Sequence, residues 1–514
     1  MKNLKLKTLA VTVALISTSQ SQAFTFNSGG VQGAFTSNVS AGMQYSLDKL
    51  EPTLNTNNNG TNKANYDDKQ IVSQTIKGIH ELDLTFGGDW AFFGRGTWLK
   101  DFKLGETKNP LHADSQDLAE TDVRILDFFV EKSYTAGDQF GRVRLGNQVL
   151  NWGESLFHFG GINYATNPVD IQRAVLPGGQ IKEILVPVPM LTVNQGLSDS
   201  MSIEAYYQLD FKSHRFPPVD TYWSTTSLIG EGSLLTDDAS AFGAVGVEDD
   251  PEEDQYGFSL KFQPEESITE YAFYYAHYNE KFPWVRWSTA PNAANLAFGT
   301  DANLTYAEGI DMYAFSMNTD AGEWAIGSEI AYRPNDVIAL DPFGSCFGVG
   351  SCLREQKHWS FDVTAINLLT PNGPLGWLLN GLGGDSGIFM VDVAGSYVPG
   401  LDSADTDVLV ALESDKDLSW GYAVEASVSY EGSLIPGWTV SPGIFYRDNV
   451  SGSSHELLGW WRNGAKEVNA YVNFVSSDDL TVAVQYLGFS GGDPEKVVDN
   501  RDKDVLAVTV SYTF

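Results

Sequence analysis

The residues most able to do chemistry are charged or polar side chains that recur at every second position, opposite apolar side chains. Acidic and basic groups on such a face either stay hydrated and set up an electric field across a passage, or pair and hold a folded-in loop. The residues alone leave both interpretations open. If the segments that carry these residues close around a lumen, the candidates for lining or narrowing it are Arg95, Glu131, Arg142, Arg144, Gln148, Trp152, Glu154, Asn167, Asp170 and Glu204. The same face is predicted to carry Asp127, Lys261, Glu329, Asp362, Asp392, Glu425 and Arg447.

Catalytic chemistry is not indicated. The chain has seven histidines, and none stands in a recognisable catalytic motif. His80 and Glu81 are adjacent and therefore point to opposite faces of a strand. Gly-x-Ser-x-Gly, zinc-protease and phosphate-loop patterns do not occur. We therefore predict neither an enzyme nor a metal or cofactor site.

The two cysteines and the acidic loop residues suggest structural roles. Cys346 and Cys352 lie close together in a glycine-containing loop, and in an exported protein this spacing predicts one local disulfide. Acidic clusters such as Asp249–Asp254 could hold calcium, but they lack the fixed spacing of a calcium loop. A solvated loop is the favoured interpretation.

Residues 149–185 break the alternation that surrounds them. Asn-Pro and Gly-Gly pairs at 167–168 and 178–179 predict turns. Trp152 and Phe157 add apolar surface without a strand pattern. A loop that is too apolar for water and has no regular period could fold into a lumen, and we hypothesise that it forms a constriction or plug. The alternative is a structured external lid.

The elements that position these residues are alternating strands. Apolar and small or polar residues alternate over Val31–Leu47 and over Leu506–Phe514, which ends in an aromatic residue. Only helices and closed barrels satisfy their own backbone hydrogen bonds in lipid, and no apolar run approaches the roughly 20 residues of a membrane helix. The pattern predicts an all-β, transmembrane antiparallel β-barrel with an inward-folded loop.

Links between the alternating segments give the strand number. Eight short or compact links alternate with long polar segments, as in bacterial barrels. The longest compact link, near 369–385, is predicted to contain a small apolar helix at Leu375–Leu382. The count is about 18 strands, or 16 if the segment around Val188–Val193 is not a strand.

Composition fits an exported membrane protein. Residues 1–23 combine Lys2, Lys5 and Lys7 with a short apolar core and Ser21-Gln22-Ala23, which predicts a signal peptide. The barrel is then residues 24–514. Loss of three lysines changes the net charge from −34 to −37, which argues against a nucleic-acid partner because phosphate binding needs a basic face.

Motifs in the central stretch carry a family resemblance. Arg144-x-Gly-x-Gln148, Asn151-Trp-Gly-Glu154, Gly160-Gly-Ile-Asn163, Asn167-Pro-x-Asp170 and Pro187-x-Pro-Met190 occur in this order. They resemble the DUF1302 family of proteobacterial proteins over essentially the whole mature chain. The resemblance implies an outer-membrane protein of a Gram-negative bacterium. It also implies a link to DUF1329-type periplasmic proteins and RND-type transporters, and so to trafficking of hydrophobic molecules.

Three functions follow as hypotheses. The leading one is a channel or conduit for hydrophobic or amphipathic, lipid-like molecules, working with a periplasmic carrier and an RND-type transporter. The alternatives are a water-filled porin for small polar solutes and a surface barrel that binds partners through its loops. Expected contacts are outer-membrane lipids and, through Tyr512 and Phe514, the barrel assembly machinery. Substrate, transport direction and oligomeric state are left open.

Overall fold

A computed structural model describes the chain over eleven ranges of residues. These are 24–49, 63–158, 160–224, 229–232, 244–245, 250–287, 301–339, 353–400, 416–453, 461–492 and 500–514. The predicted signal peptide and the predicted Cys346–Cys352 disulfide both lie outside the described residues, so both stay predictions. Within these ranges no helix has the length and apolar character needed to cross a bilayer.

The described chain is dominated by antiparallel strands. Their bounds are β1 Phe24–Ser28, β2 Val31–Ser46, β3 Ile71–Phe86, β4 Trp90–Asp101, β5 Thr121–Ala136, β6 Gln139–Gln148, β7 Val188–Ser198, β8 Met201–Gln208, β9 Ala244–Val245, β10 Tyr256–Phe262, β11 Glu270–Tyr278, β12 Trp284–Trp287, β13 Asp301–Thr305, β14 Ile310–Ala321, β15 Trp324–Ala339, β16 Leu353–Leu369, β17 Ser386–Tyr397, β18 Leu418–Ile435, β19 Trp438–Ser451, β20 Ala465–Ser476, β21 Leu480–Gly491 and β22 Val505–Thr513.

Eighteen of these strands close into a barrel. They are β2 to β8, β10, β11 and β14 to β22, each paired antiparallel with the next. The last strand, β22, pairs with the first, β2, from Asn38–Thr513 to Ser46–Val505. Closure leaves no unpaired edge, which is what a sheet in hydrocarbon requires. The predicted all-β barrel is confirmed. The segment around Val188–Val193 is part of a strand, β7 at Val188–Ser198, so the number of strands is 18 and not 16.

Side-chain exposure separates the two faces of the wall. Val123, Ile125, Phe140, Phe273 and Tyr313 are more than half exposed on the outer face. Polar residues on the neighbouring positions are buried toward the interior, such as those of β16 and β17 described below. An apolar outside and a polar inside are the reverse of a water-soluble barrel and fit a wall that contacts lipid.

The links match the predicted organisation at one end of the barrel. The predicted apolar helix appears at Gly376–Leu382, between β16 and β17. The short strand β1 folds back on the start of β2 and was not predicted. Long links at the other end hold a helix at Ala113–Glu120 and a small sheet of β9, β12 and β13. Neither follows from alternation.

Candidate functional site

The connection from β6 to β7, residues 149–187, crosses the interior of the barrel; we call it the lumen segment. On one side Gln180 Nε2 donates to Asn38 Oδ1 of β2 at 3.0 Å. On the other, Asn318 Nδ2 of β14 donates to Glu154 Oε2 at 2.7 Å. Strands β2 and β14 are nine strands apart in a ring of eighteen, so these contacts lie on opposite walls.

The contacts also place the lumen segment deep within the barrel. Asn318 lies near the end of β14 that leads into its short link to β15. Asn38 pairs with Thr513, close to the C-terminal end of β22. Both therefore belong to the half of the wall nearest the short links. The lumen segment extends well past the long-loop rim.

Short elements and local hydrogen bonds give the lumen segment its shape. It contains helices at Ile171–Val175 and Ile181–Ile184. Asp170 caps the first by accepting from Arg173 N at 2.7 Å. Asn167 ties the two ends together, because its Oδ1 accepts from Leu150 N at 2.8 Å and its Nδ2 donates to Val186 O at 3.0 Å.

Three carboxylates on adjacent strands hold the first part of the lumen segment; we call Glu329, Asp362 and Asp392 the acidic row. They lie on β15, β16 and β17 and are 5%, 2% and 0% exposed. Glu329 accepts from the backbone N–H groups of residues 154, 155 and 162. Asp362 accepts from Ser155 Oγ, and Asp392 accepts from Phe157 N at 2.8 Å. The row therefore anchors an irregular stretch of backbone whose N–H groups have no partner in a sheet.

Two glycines make room for Glu329. A Cβ at Gly161 would lie 2.1 Å from Glu329 Oε1, and one at Gly153 would lie 2.3 Å from Oε2. Gly153 also has φ +86°, which disfavours other residues. The Gly-containing motifs therefore allow the backbone to approach the carboxylate.

Gly161→Ala is expected to weaken this anchor, because the methyl group overlaps the carboxylate that three N–H groups share. We expect the lumen segment to become cleavable by chymotrypsin in the folded barrel, at a rate at least tenfold above that of the unmodified protein. Gly160→Ala is the matched control: its Cβ meets no atom within 4 Å, although φ is +98°. Equal cleavage of the two variants would show that backbone strain, not contact with Glu329, matters.

A network of buried charges holds the second part of the lumen segment against β5. Arg173 contacts Asp122 Oδ2 at 2.7 Å, and Arg124 NH1 lies 2.6 Å from Asp170 Oδ2. Arg215, from the link after β8, contacts Asp170 at 3.1 Å. The network continues through Glu183 to Lys77 of β3. Sharing each carboxylate between several cations offsets part of the cost of removing these charges from water.

The predicted basic residues on the wall pair with neighbouring acids. Arg95 contacts Glu81 at 2.7 Å and Asp127 at 2.5 Å, and Lys182 of the lumen segment joins Glu81 at 3.0 Å. Farther along, Glu131 accepts from Arg144 at 2.8 Å and lies 3.7 Å from Arg142. Most of these charges therefore fit the interpretation in which acidic and basic groups pair, rather than the one in which they stay hydrated.

An aromatic cluster fills the interior beside β8 and β11. Trp152 packs against Tyr206 and Tyr274, with ring centroids 5.1 and 5.4 Å apart. Its Nε1 donates to Glu204 Oε2 at 2.8 Å, which satisfies the polar atom of the buried ring. Ile162 belongs to the same buried cluster. The lumen segment thus covers an apolar part of the wall that would otherwise face water.

The long links after β8 and β11 also contact the lumen segment. Val169 N donates to His214 Nδ1 at 2.9 Å, so this histidine acts as a neutral acceptor. Burial lowers the pKa of His214 to about 3, and the nearby Lys281 contributes to the same shift. Lys281 Nζ donates to Ala165 O at 3.0 Å, and Tyr164 donates to Glu280. Burial raises the pKa of Glu280 and lowers that of Lys281.

One sector of the wall is less covered. Inward-facing Glu425 on β18, Arg447 on β19 and Glu467 on β20 are only partly buried. The Arg447 and Glu467 side chains, which pair with each other, are 32% and 21% exposed, whereas Asp392 of the acidic row is fully buried. Strand β21 is also only partly buried over most of its length, so water reaches the interior along β18 to β21, beside the lumen segment.

The structure brings together some predicted residues and separates others. Trp152 and Glu204 form one contact, Arg142, Arg144 and Glu131 a second, and Arg95 and Asp170 belong to two different charge clusters. Gln148 donates to Met190 O at 2.9 Å and supports the base of the lumen segment. Sequence reasoning missed Asp122, Arg124, Arg173, Glu183 and His158, whose partners are distant in the chain.

The fold and its interior define the class of protein. A closed antiparallel barrel of 18 strands, apolar outside and polar inside, is a transmembrane β-barrel. The chain belongs to the DUF1302 family, described as a protein of unknown function, whose model matches residues 4–514. The resemblance found in the sequence is thereby confirmed. A comparison with curated proteins gave no match.

Solved structures with a similar architecture include proteins of two Pseudomonas species. A BenF-like porin from Pseudomonas fluorescens Pf-5 aligns over 94% of this chain and 98% of that chain, at 9% identity and a TM-score of 0.46. OccK8 (OprE) of Pseudomonas aeruginosa covers 94% and 98%, at 10% identity and a TM-score of 0.45. OpdK of the same species covers 93% and 98%, at 10% identity and 0.44.

Proposed function

We propose that this protein is a channel of the Gram-negative outer membrane, in which the lumen segment narrows the interior to a polar passage along β18 to β21. The observation that carries the proposal is the pair of contacts from the lumen segment to opposite walls. A barrel of this size is too wide for its own wall residues to fill. The side chains of Glu425, Arg447 and Glu467 line the passage that remains beside the lumen segment. The role is passive and needs no catalytic group.

Arg447→Ser tests where the solute passes. The substitution leaves Glu467 and Glu425 in the proposed passage without the guanidinium that neutralises Glu467. We expect the reversal potential, measured in a planar bilayer with a salt gradient, to shift toward the equilibrium potential of the cation. The shift should shrink at high salt because mobile ions screen the charge.

Lys132→Ser is the matched control for this experiment. Lys132 pairs with Asp89 near a short turn, on the outward-facing side of β5. The same loss of one positive charge there should leave the reversal potential unchanged. A shift of equal size in both variants would contradict a passage along β18 to β21.

A second candidate is the conduit for amphipathic molecules, working with a periplasmic carrier and an RND-type transporter. The observation in its favour is the aromatic cluster of Trp152, Tyr206 and Tyr274, which the lumen segment covers. Displacement of the lumen segment would expose an apolar strip along one wall and a charged strip along the other. Such a surface suits a molecule with an apolar body and a polar head.

Liposome swelling separates the two candidates. A polar passage should admit small sugars and amino acids in proteoliposomes of the unmodified protein. A conduit should give little swelling but should retain bound lipid through purification, detectable by mass spectrometry. Swelling without bound lipid supports the first candidate; bound lipid without swelling supports the second.

A further inference from the structure

Asp362 and Asp392, two of the carboxylates that anchor the lumen segment, approach each other and His158 closely inside the barrel. Ligand atoms of His158, Asp362 and Asp392 all lie within 4.8 Å of one another, and all three residues are buried. Of the basic side chains that the structure describes, only His158 pairs with a member of the acidic row, through Nδ1 and Asp392 Oδ1 at 2.8 Å. Carboxyl groups this close and this well buried are stabilised by a proton that they share or by a counter-charge.

One polar atom in this cluster, Nε2 of His158, has no hydrogen-bond partner among the described residues. The carboxyl groups of Asp362 and Asp392 are hydrogen-bonded to each other. His158 is 7% exposed and Asp362 is 2% exposed, so water from the lumen has little access to either. A buried polar atom without a partner is costly, and a bound water molecule or ion would satisfy it.

A small cavity adjoins these atoms. It has a volume of about 20 Å³; Ser155, His158 and Asp362 line it, and Asp392 lies behind Asp362, outside the lining. A cavity of this size holds one water molecule or one ion. Trp461 stacks on the His158 ring, with centroids 4.9 Å apart and planes 11° from parallel. The ring is therefore held in place by contacts on its face and at Nδ1.

We propose that His158, Asp362 and Asp392 form a binding site for one divalent cation of the Zn²⁺ type. One imidazole and two carboxylates are a ligand set that Zn²⁺ accepts, with bonds of about 2.0–2.2 Å. In a tetrahedral shell with such bonds, two ligand atoms of one ion lie about 3.4 Å apart, so the side chains, whose ligand atoms lie within 4.8 Å of one another, must move closer by up to about 1.4 Å to close the shell. The buried imidazole favours Zn²⁺ over Ca²⁺, which prefers six or more oxygen ligands.

The site would join the lumen segment to the barrel wall. His158 belongs to the lumen segment, whereas Asp362 and Asp392 belong to β16 and β17. A bound ion would replace part of the repulsion between the two carboxylates with an attraction that includes His158. The proposal is independent of the nature of the transported solute, so its failure would leave the channel proposal standing.

Zn²⁺ binding to the full mature chain, refolded in detergent and stripped with chelator, tests the site. We expect one Zn²⁺ per barrel by isothermal titration calorimetry, and visible absorption bands when Co²⁺ replaces it. His158→Gln should weaken Zn²⁺ binding at least tenfold, and Asp362→Asn should do the same. Heat-modifiable migration in gels shows whether each variant has folded, so a variant that fails to fold is set aside and the other decides.

His277→Gln is the matched control. His277 pairs with Asp311 through Nδ1 at 2.9 Å, as His158 pairs with Asp392, but it belongs to no such three-residue group among the residues described. This variant should bind Zn²⁺ like the unmodified protein. Absence of stoichiometric Zn²⁺, or binding that survives His158→Gln, would overturn the proposal. If Cys346→Ser abolished Zn²⁺ binding and the His158 and Asp362 substitutions did not, the ion would be bound by the cysteine thiols, and the proposed site would be wrong.

Discussion

Removal of residues 153–180, with a glycine-serine linker joining residues 152 and 181, is expected to raise the single-channel conductance severalfold. The deleted residues include those that contact β2 on one wall and β14 on the opposite wall. Without them, an 18-strand barrel keeps an interior that its own side chains cannot fill. The measurement is the current step in planar bilayers for the refolded mature chain, compared with the unmodified protein.

The same deletion also exposes the acidic row to the lumen. Glu329, Asp362 and Asp392 lose their partners in the lumen segment and become hydrated carboxylates on one wall. The deleted channel should therefore prefer cations. Combining the deletion with Glu329→Gln, Asp362→Asn and Asp392→Asn should remove this preference but keep the large conductance. A deleted, folded barrel with unchanged conductance would contradict a constriction by the lumen segment.

The wall of this barrel was predictable because strand geometry repeats every two residues. Alternation in the sequence placed Asp127, Glu131, Arg142 and Arg144 on one face, and in the structure Asp127 pairs with Arg95 and Glu131 with Arg142 and Arg144. Closure also follows from physics, since unpaired backbone groups are excluded from lipid. Such local rules need no knowledge of distant partners.

A bulge explains why two wall residues were missed. Strand β4 pairs Gly94 with Phe128 but Gly96 with Ile125, so β5 carries an extra residue between them. The extra residue changes the parity of inward positions, which brings Asp122 and Arg124 to the same face as Asp127. The sequence gives no local sign of where that change occurs.

The lumen segment was recognisable from its lack of periodicity, but its contacts were not. His158 lies 234 residues from Asp392, and Lys77 lies 106 residues from Glu183. Nothing in the neighbouring residues marks these as partners, because the contacts depend on how an irregular chain crosses a closed wall. For that reason the sequence predicted His158 only as a loop residue, whereas in the structure it contacts Asp392 on the barrel wall.

Arg173→Met is expected to destabilise the protein by about 3 kcal/mol, the lower end for breaking a buried ion pair. Arg173 is 1% exposed, donates to Asp122 Oδ2 from both Nε and NH2, and lies 3.6 Å from Glu183. Methionine has a similar length but offers no donor, so two buried carboxylates lose a cation. Because Arg124 still contacts Asp122, we do not expect a loss of stability near the upper end, about 5 kcal/mol, for breaking a buried ion pair. The free energy of unfolding comes from urea titrations in lipid vesicles.

Arg142→Met shows why burial, and not charge alone, sets the size of this effect. Arg142 faces the same interior, but its side chain is 40% exposed and lies 3.7 Å from Glu131. Water screens such a pair, so the same substitution should cost less than about 1 kcal/mol. Adding Asp122→Asn to Arg173→Met should cost less than the sum of the single changes, because each removes the other's partner. Equal effects at Arg142 and Arg173, or additive effects at Asp122 and Arg173, would mean that the charge network does not hold the lumen segment against β5.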